Sequence, residues 1–152
     1  MRNIILILLT AWFVLALSGC SPWLKAAPGE SAVTFLDISM EDMRVDPDKF
    51  VGRVFEDRIK YYQTYRSKED AIPSVSPQVI KGQTYFTARP INQYHYVIHV
   101  QITSRQDKWI RKMKIDRQDA LKARMRFAGI SPDTGTLIFD LMEILETHRS
   151  LK

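Results

Sequence analysis

The seven residues Leu121-Lys122-Ala123-Arg124-Met125-Arg126-Phe127 alternate without a break between apolar and basic side chains. Side chains two residues apart in a β-strand point to the same face of the sheet, so this pattern is typical of a strand with one buried and one exposed face. We therefore expect an inward row and an outward row. The inward row is Leu121, Ala123, Met125 and Phe127, and the outward row is Lys122, Arg124 and Arg126.

Segments on both sides of this stretch also have strand character. The turn-forming residues 129–135 (GISPDTG) separate it from a predicted last strand at residues 136–144, and a polar tail begins at Glu146. Upstream, residues 94–103 alternate clearly and predict another strand. In that strand Tyr94 and Tyr96 share one face, while His95 and His99 share the other.

The remaining residues predict one further strand and short helical segments. Residues 53–66 alternate imperfectly and predict a long strand, bent or bulged near its ends. Ser39 is a typical N-cap and predicts a short helix at residues 40–45. Pro47 would end this helix, and residues 48–50 would add a further turn. The prolines and the glycine of residues 70–83 indicate a loop. Residues 105–117 predict a short helix or an irregular connection.

Together these elements predict a mainly β (β-rich α+β) domain, built as a small barrel or sandwich of about five strands with one or two short helices. The run Asp46-Pro47-Asp48-Lys49-Phe50-Val51-Gly52-Arg53-Val54 resembles the entry to OB-fold-like domains of some exported bacterial lipoproteins, in which a short helix precedes a long, bent first strand. Residues 125–129 and 137–140 are similar to the closing hairpin of such barrels. The resemblance implies an OB-like barrel, in which Gly52 would let the strand coil tightly.

The first nineteen residues have the parts of a secretory signal peptide. Arg2 and the amino terminus are positively charged, residues 4–17 are apolar apart from Thr10, and the small residues Ser18 and Gly19 follow. The apolar run is shorter than the roughly 20 residues that a spanning helix needs. A retained N-terminal anchor helix is the alternative.

The stretch Leu17-Ser18-Gly19-Cys20 resembles the lipobox of bacterial lipoproteins. The resemblance implies cleavage before Cys20, a diacylglycerol on its thiol and an N-acyl chain on the new amino terminus, which together form a stable membrane anchor. Cys20 is the only cysteine, so no intramolecular disulfide can form. Ser21, in place of the aspartate that tends to retain such proteins in the inner membrane, favours the periplasmic face of an outer membrane. We expect a signal peptide (1–19), a lipidated tether (20–32), one β-rich domain (33–146) and a polar tail (147–152).

Motifs for catalysis or metal binding are not evident in the sequence. His95 and His99 would lie about 13 Å apart in a strand, too far to share a metal ion, and we expect both to face solvent. The acidic residues of 42–57 are explained by capping, turns and surface pairing, and they do not form a calcium loop. The serines lie outside known nucleophile motifs, and lipid would occupy the only thiol. We therefore expect a non-enzyme without a cofactor other than the lipid.

A basic surface is the main positive feature of a chain whose formal net charge is +5. Its members are Arg105, Lys108, Arg111, Lys112, Lys114, Arg117, Lys122, Arg124 and Arg126, with Trp109 among them. A solvated charged surface with core tyrosines is the simplest interpretation of these residues. The functional one is a site for an anionic partner.

Three functions are compatible with these residues. The first is a non-catalytic, membrane-anchored bacterial lipoprotein that binds a protein partner or an anionic envelope component as an accessory or scaffold. The second is an OB-like module for a small ligand or oligonucleotide, which needs Tyr94, Tyr96 and Trp109 exposed in a basic groove. The predicted location outside the cytoplasm argues against nucleic acid as the partner. The third, an envelope hydrolase, lacks a recognisable catalytic constellation.

Overall fold

The computed structural model describes residues 31–66, 84–132 and 134–150. Five strands form a closed barrel in the order β1-β2-β3-β5-β4. All neighbouring pairs are antiparallel except β3 and β5, which run parallel. The strands are β1 (Val54–Tyr65), β2 (Thr84–Pro90), β3 (Ile98–Ile102), β4 (Ala120–Ile130) and β5 (Leu137–His148). The mainly β prediction is confirmed, and of the two predicted architectures the structure has the small OB-like barrel.

β4 keeps the alternation of its sequence. Its inward residues Leu121, Ala123, Met125 and Phe127 are fully buried, and the outward Lys122, Arg124 and Arg126 are partly exposed. β4 pairs with β1 on one side and β5 on the other, so its apolar row lines the barrel interior. Phenylalanines fill one part of that interior, where the ring of Phe55 lies 5.1 Å from Phe35 and 5.7 Å from Phe139.

Two short helices accompany the barrel. Helix α1 (Met40–Val45) begins where predicted, because the Ser39 side chain accepts a hydrogen bond from the Glu41 N–H. It buries Met40 and Met43, and a 3₁₀ turn (Pro47–Lys49) follows it. Helix α2 (Ser104–Lys112) links β3 to β4. The sequence left a short helix and an irregular connection open here, and the structure has the helix.

Several predicted boundaries differ in the structure. β2 was not predicted at all, and β3 is shorter than predicted because residues 94–97 belong to a turn in which the Tyr96 N–H donates to the Gln93 carbonyl. β5 continues to His148, beyond residue 144 and into the predicted polar tail. β4 also runs to Ile130, which shortens the predicted turn. The predicted loop at 70–83 lies outside the described residues.

Gly52 has a different role from the one predicted. It lies before β1 rather than within a strand, and its φ of +87° is a left-handed conformation that favours glycine. Its N–H donates to the Phe127 carbonyl, which ties this turn to β4. The glycine therefore forms the turn that enters β1 and does not coil the strand itself.

Candidate functional site

The barrel has two ends of different character. At the α2 end, β1 and β3 finish, β2 and β4 begin, and α2 covers the opening. At the α1 end lie α1, the turn of residues 91–97 and the β4–β5 turn, which meet around Tyr96 and Arg44. The chain enters the described part at this second end, where Val33 pairs with Phe55 near the start of β1.

Local hydrogen bonds fix α2 against the barrel. Thr103 and Gln106 form a capping box, which satisfies backbone N–H groups at the start of the helix. The Gln106 side chain is 1% exposed and also donates from Nε2 to the Leu141 carbonyl of β5, at 2.9 Å. Ile110 is buried in the core, and Trp109 packs against that core while partly exposed. The helix is therefore held rigidly, with its opposite side facing solvent.

The solvent-facing side of α2 and the loop after it are strongly basic. Residues 104–119 contain six cations and three aspartates, and two of the aspartates, Asp107 and Asp119, are buried. The six cations are all exposed, and they are Arg105, Lys108, Arg111, Lys112, Lys114 and Arg117. In contrast, residues 34–53 at the α1 end carry five acidic and three basic side chains. The excess positive charge of the domain is thus concentrated at the α2 end.

The basic residues of β4 are in a different electrostatic environment. Lys122 and Arg124 both form ion pairs with Glu56 of β1, at 3.1 and 2.7 Å, and Arg124 also lies 3.6 Å from Glu143 of β5. The hydrogen bond from Arg124 lowers the pKa of Glu56, which keeps this partner ionised. Arg126 is paired in register with Asp140. The predicted surface of nine cations therefore divides into a group on and after α2, where cations outnumber aspartates six to three, and a group on β4 that faces carboxylates of β1 and β5.

A cleft lies between α2 and the ends of β1 and β2. Its volume is about 370 Å³, and Arg66, Thr84, Ser104, Asp107, Lys108 and Arg111 line it. Asp107 is 5% exposed and accepts hydrogen bonds from Arg66, through Nε and Nη2, and from Arg111. We call this the Asp107 cleft.

The charge state of Asp107 follows from two opposing effects. Burial raises the pKa of this carboxyl, but the hydrogen bonds from Arg111 and Arg66 outweigh burial and lower it below its ordinary value. Asp107 is therefore ionised at neutral pH and holds two guanidinium groups at the cleft. The sequence did not indicate Arg66 or Thr84 as site residues. Arg66 contacts Asp107 only because the folded barrel brings together two distant parts of the chain.

Tyr94 and Tyr96 do not lie beside the basic residues of α2. Tyr94 is 72% exposed, but it lies at the α1 end, as does Tyr96, whose hydroxyl donates to Glu41. Trp109 lies at the opposite end, and Tyr61, Tyr65 and Tyr85 are buried. The groove that an oligonucleotide-binding module would require from Tyr94, Tyr96 and Trp109 is therefore not formed by these three residues.

The histidine prediction was wrong for His99. This residue is 5% exposed, and its ring lies 4.8 Å from that of Tyr85, while Tyr85 stacks on Tyr65. Burial lowers the pKa of His99 to about 4, so its imidazole is neutral in the fold. His95 is exposed in the turn before β3, so the two histidines do not share a strand face.

Four further observations concern metal binding, membrane helices, Cys20 and known proteins. Within residues 31–66, 84–132 and 134–150, no three His, Cys, Asp or Glu side chains are arranged to hold a metal ion. No helix in that part of the chain has the length and apolar character needed to cross a bilayer. Cys20 lies outside the described residues. Comparison of the chain with protein-family models, with curated proteins and with solved structures returned no match.

Proposed function

We propose that this chain is a non-catalytic bacterial lipoprotein, anchored by lipid on Cys20, whose OB-like barrel binds an anionic component of the cell envelope through its α2 end. The anionic component is an envelope polymer or the acidic face of an envelope protein. The observation that carries the proposal is the net charge of residues 104–119, which contain six exposed cations and only three aspartates. An unbalanced positive surface attracts anionic partners and accelerates their association.

The position of this surface also supports the proposal. The described chain begins at the α1 end, whereas the cations lie at the α2 end. A lipid on Cys20 would therefore join the domain from the side opposite to its basic surface. That arrangement keeps the basic surface accessible to partners in the aqueous compartment, on the periplasmic side of the outer membrane that Ser21 favours.

The lipid anchor is tested by intact-mass measurement and fractionation of the full-length gene product and its Cys20→Ala variant. We expect the wild type in the membrane fraction, with residues 1–19 removed and the mass of a diacylglycerol and an acyl chain added. Cys20→Ala should lack that mass and leave the membrane fraction. A membrane-bound wild type without added lipid mass would refute the anchor.

The binding surface is tested with a pair of double variants that change the net charge equally. Lys108→Gln/Lys112→Gln removes two cations from the α2 end, while Lys49→Gln/Lys60→Gln removes two exposed cations elsewhere. The part of the binding of the lipidated protein to isolated envelopes that salt abolishes is measured before and after the envelopes are stripped of protein, because insertion of the lipid itself does not depend on salt. We expect salt-sensitive binding that only the first double variant loses.

Two outcomes of this experiment have opposite meanings. If both double variants weaken binding equally, the effect is one of net charge and the α2 surface is not the site. If only the α2 double variant fails to bind, the α2 surface is the site. Stripping then identifies the partner, because envelopes without protein would still bind the wild type if the partner is a polymer, but not if it is a protein.

A further inference from the structure

We infer that the Asp107 cleft is a binding site for a phosphate monoester carried by the anionic envelope component. This inference rests on the proposed function, because it assigns one chemical group and one subsite to the binding surface at the α2 end. It adds Arg66, Thr84 and Ser104 to the residues of that surface.

The first argument is that the two arginines of the cleft are positioned before any ligand arrives. Arg66 Nε lies 3.1 Å from Asp107 Oδ2 and Arg66 Nη2 lies 3.1 Å from Oδ1, so the guanidinium meets the carboxylate through two nitrogens. Arg111 Nε approaches Oδ2 of the same carboxylate at 3.1 Å. Since the Asp107 side chain is only 7% exposed, it acts as a fixed point for both groups. Fixing side chains in advance lowers the entropic cost of binding.

The second argument is charge. Among the described residues that line the cleft are three cations, Arg66, Lys108 and Arg111, and one carboxylate, Asp107, so that cations exceed carboxylates there by two. A phosphate monoester carries a charge of about −1.5 to −2 at neutral pH. A single carboxylate or a phosphodiester carries only one negative charge and would leave part of the excess uncompensated. The charge of the cleft therefore matches a monoester best.

The third argument is the geometry of the donors. A guanidinium has five N–H donors in a planar fork that matches the spacing of phosphate oxygens, and Asp107 uses only some of those of Arg66 and Arg111. The hydroxyls of Thr84 and Ser104 line the same cleft and can donate to a further oxygen. Lys108, which is exposed at its rim, adds a mobile point charge. With about 370 Å³, the cleft has room for the phosphate and part of the group that carries it.

The test uses the full-length lipidated protein and two probes that present the same chemical group. Glycerol phosphate is soluble, whereas phosphatidic acid is presented on phosphatidylcholine vesicles, and its binding is counted only above that to vesicles of phosphatidylcholine alone, into which the lipid on Cys20 inserts. Affinities are measured for the wild type, Lys108→Gln, Arg111→Gln and the control Arg44→Gln. Arg44 is an exposed arginine of the α1 end that is paired with Glu41, so the control removes the same charge at a distance from the cleft.

We expect Arg111→Gln to weaken binding about tenfold or more, since a charge-assisted hydrogen bond is lost, and Arg44→Gln to leave it unchanged. Lys108→Gln should also weaken binding. Lys108 does not hold Asp107, so this variant tests the cleft without disturbing α2 if Arg111→Gln proves unstable. Sensitivity with glycerol phosphate supports a soluble or polymer-borne phosphate, and sensitivity confined to phosphatidic acid supports a lipid source.

The inference is overturned if neither probe binds, or if Arg44→Gln weakens binding as much as Arg111→Gln. It is also overturned if acetate competes as well as glycerol phosphate, because the site would then not distinguish a dianion from a monoanion. Each of these results leaves the proposed function intact if envelope binding still depends on Lys108 and Lys112. Loss of that dependence refutes the proposed function separately.

Discussion

His99 makes the stability of this barrel sensitive to mild acid. Its imidazole is buried beside Tyr85, and burial lowers its pKa from 6.5 to about 4. In the unfolded chain the same group titrates near its ordinary value. Below about pH 6.5 the unfolded state therefore binds a proton that the folded state does not bind until about pH 4. The free energy of unfolding falls as the pH drops through this window.

The size of the effect follows from the two pKa values. The full difference of 2.5 units between 6.5 and about 4 corresponds to about 3 kcal/mol. Between pH 7 and pH 4.5, where the folded state is still mostly neutral at His99, the linkage relation gives a loss of about 2 kcal/mol. This is a substantial part of the total stability of an ordinary small domain.

Urea denaturation of the purified protein at both pH values measures this loss, with circular dichroism as the signal. His99→Gln removes the titrating group, and we expect its stability to fall about 2 kcal/mol less than that of the wild type over the same interval. Acidic residues that titrate nearby contribute equally to both proteins and cancel in the comparison. His95→Gln, which changes an exposed histidine, should behave like the wild type. If His99→Gln loses as much stability as the wild type, burial does not keep His99 neutral and this reasoning is refuted.

Three further predictions concern the charged, capped and apolar parts of the barrel. Burial raises the pKa of Asp140, and Arg126 partly offsets this effect, so the ionised carboxylate opposes folding as the pH rises. Asp140→Asn should therefore increase the free energy of unfolding at pH 7 and change it less at pH 4. Urea titrations at the two pH values measure the difference. Gln106→Ala should cost about 1–3 kcal/mol by leaving the buried Leu141 carbonyl without its donor, and Gln106→Glu, which sets a buried carboxylate against that carbonyl, should cost more at pH 7 in the same assay. Phe139→Ala should lower the free energy of unfolding by about 3–5 kcal/mol because it opens a cavity among the core rings, and Phe139→Leu should lower it less. Equal losses of stability in the two variants would show that the core does not pack around this ring.

The parts of the fold that local sequence predicts are those with one dominant local signal. β4 has a strict alternation, and α1 has a capping serine at its start and a proline after it. β2 (Thr84–Pro90) was missed because four successive residues in it are buried, so its two faces do not differ as those of a half-exposed strand do. β3 was predicted too long because Tyr94-His95-Tyr96 continue its alternation, although the chain turns there and hydrogen bonds to Gln93.

The candidate site was predictable only in its local part. The cations of α2 are close together in sequence, so their common surface could be foreseen. Arg66 and Asp107 are 41 residues apart, and their contact depends on how the barrel closes. The pairing of Lys122 and Arg124 with Glu56 likewise requires the register of β4 against β1. Sequence shows how many charges a surface carries, but the fold determines which of them are balanced.

The distance between the two ends of the barrel gives the domain two electrostatically separate regions. β1 has 12 residues, which at about 3.3 Å each and a tilt of about 40° separates the ends by about 30 Å. This exceeds three Debye lengths of about 8 Å, so cations at the α2 end do not interact with a membrane that lies against the α1 end. If Cys20 carries the proposed lipid, the eleven residues from Cys20 to Glu30 have a maximum reach of about 40 Å, which would let the domain turn its basic end towards its own membrane. Binding to that membrane would be intramolecular and independent of protein concentration, whereas binding to a partner elsewhere would depend on it. Measuring whether binding on reconstituted membranes depends on protein concentration therefore distinguishes the two cases, in which the α2 end binds either its own membrane or a partner elsewhere.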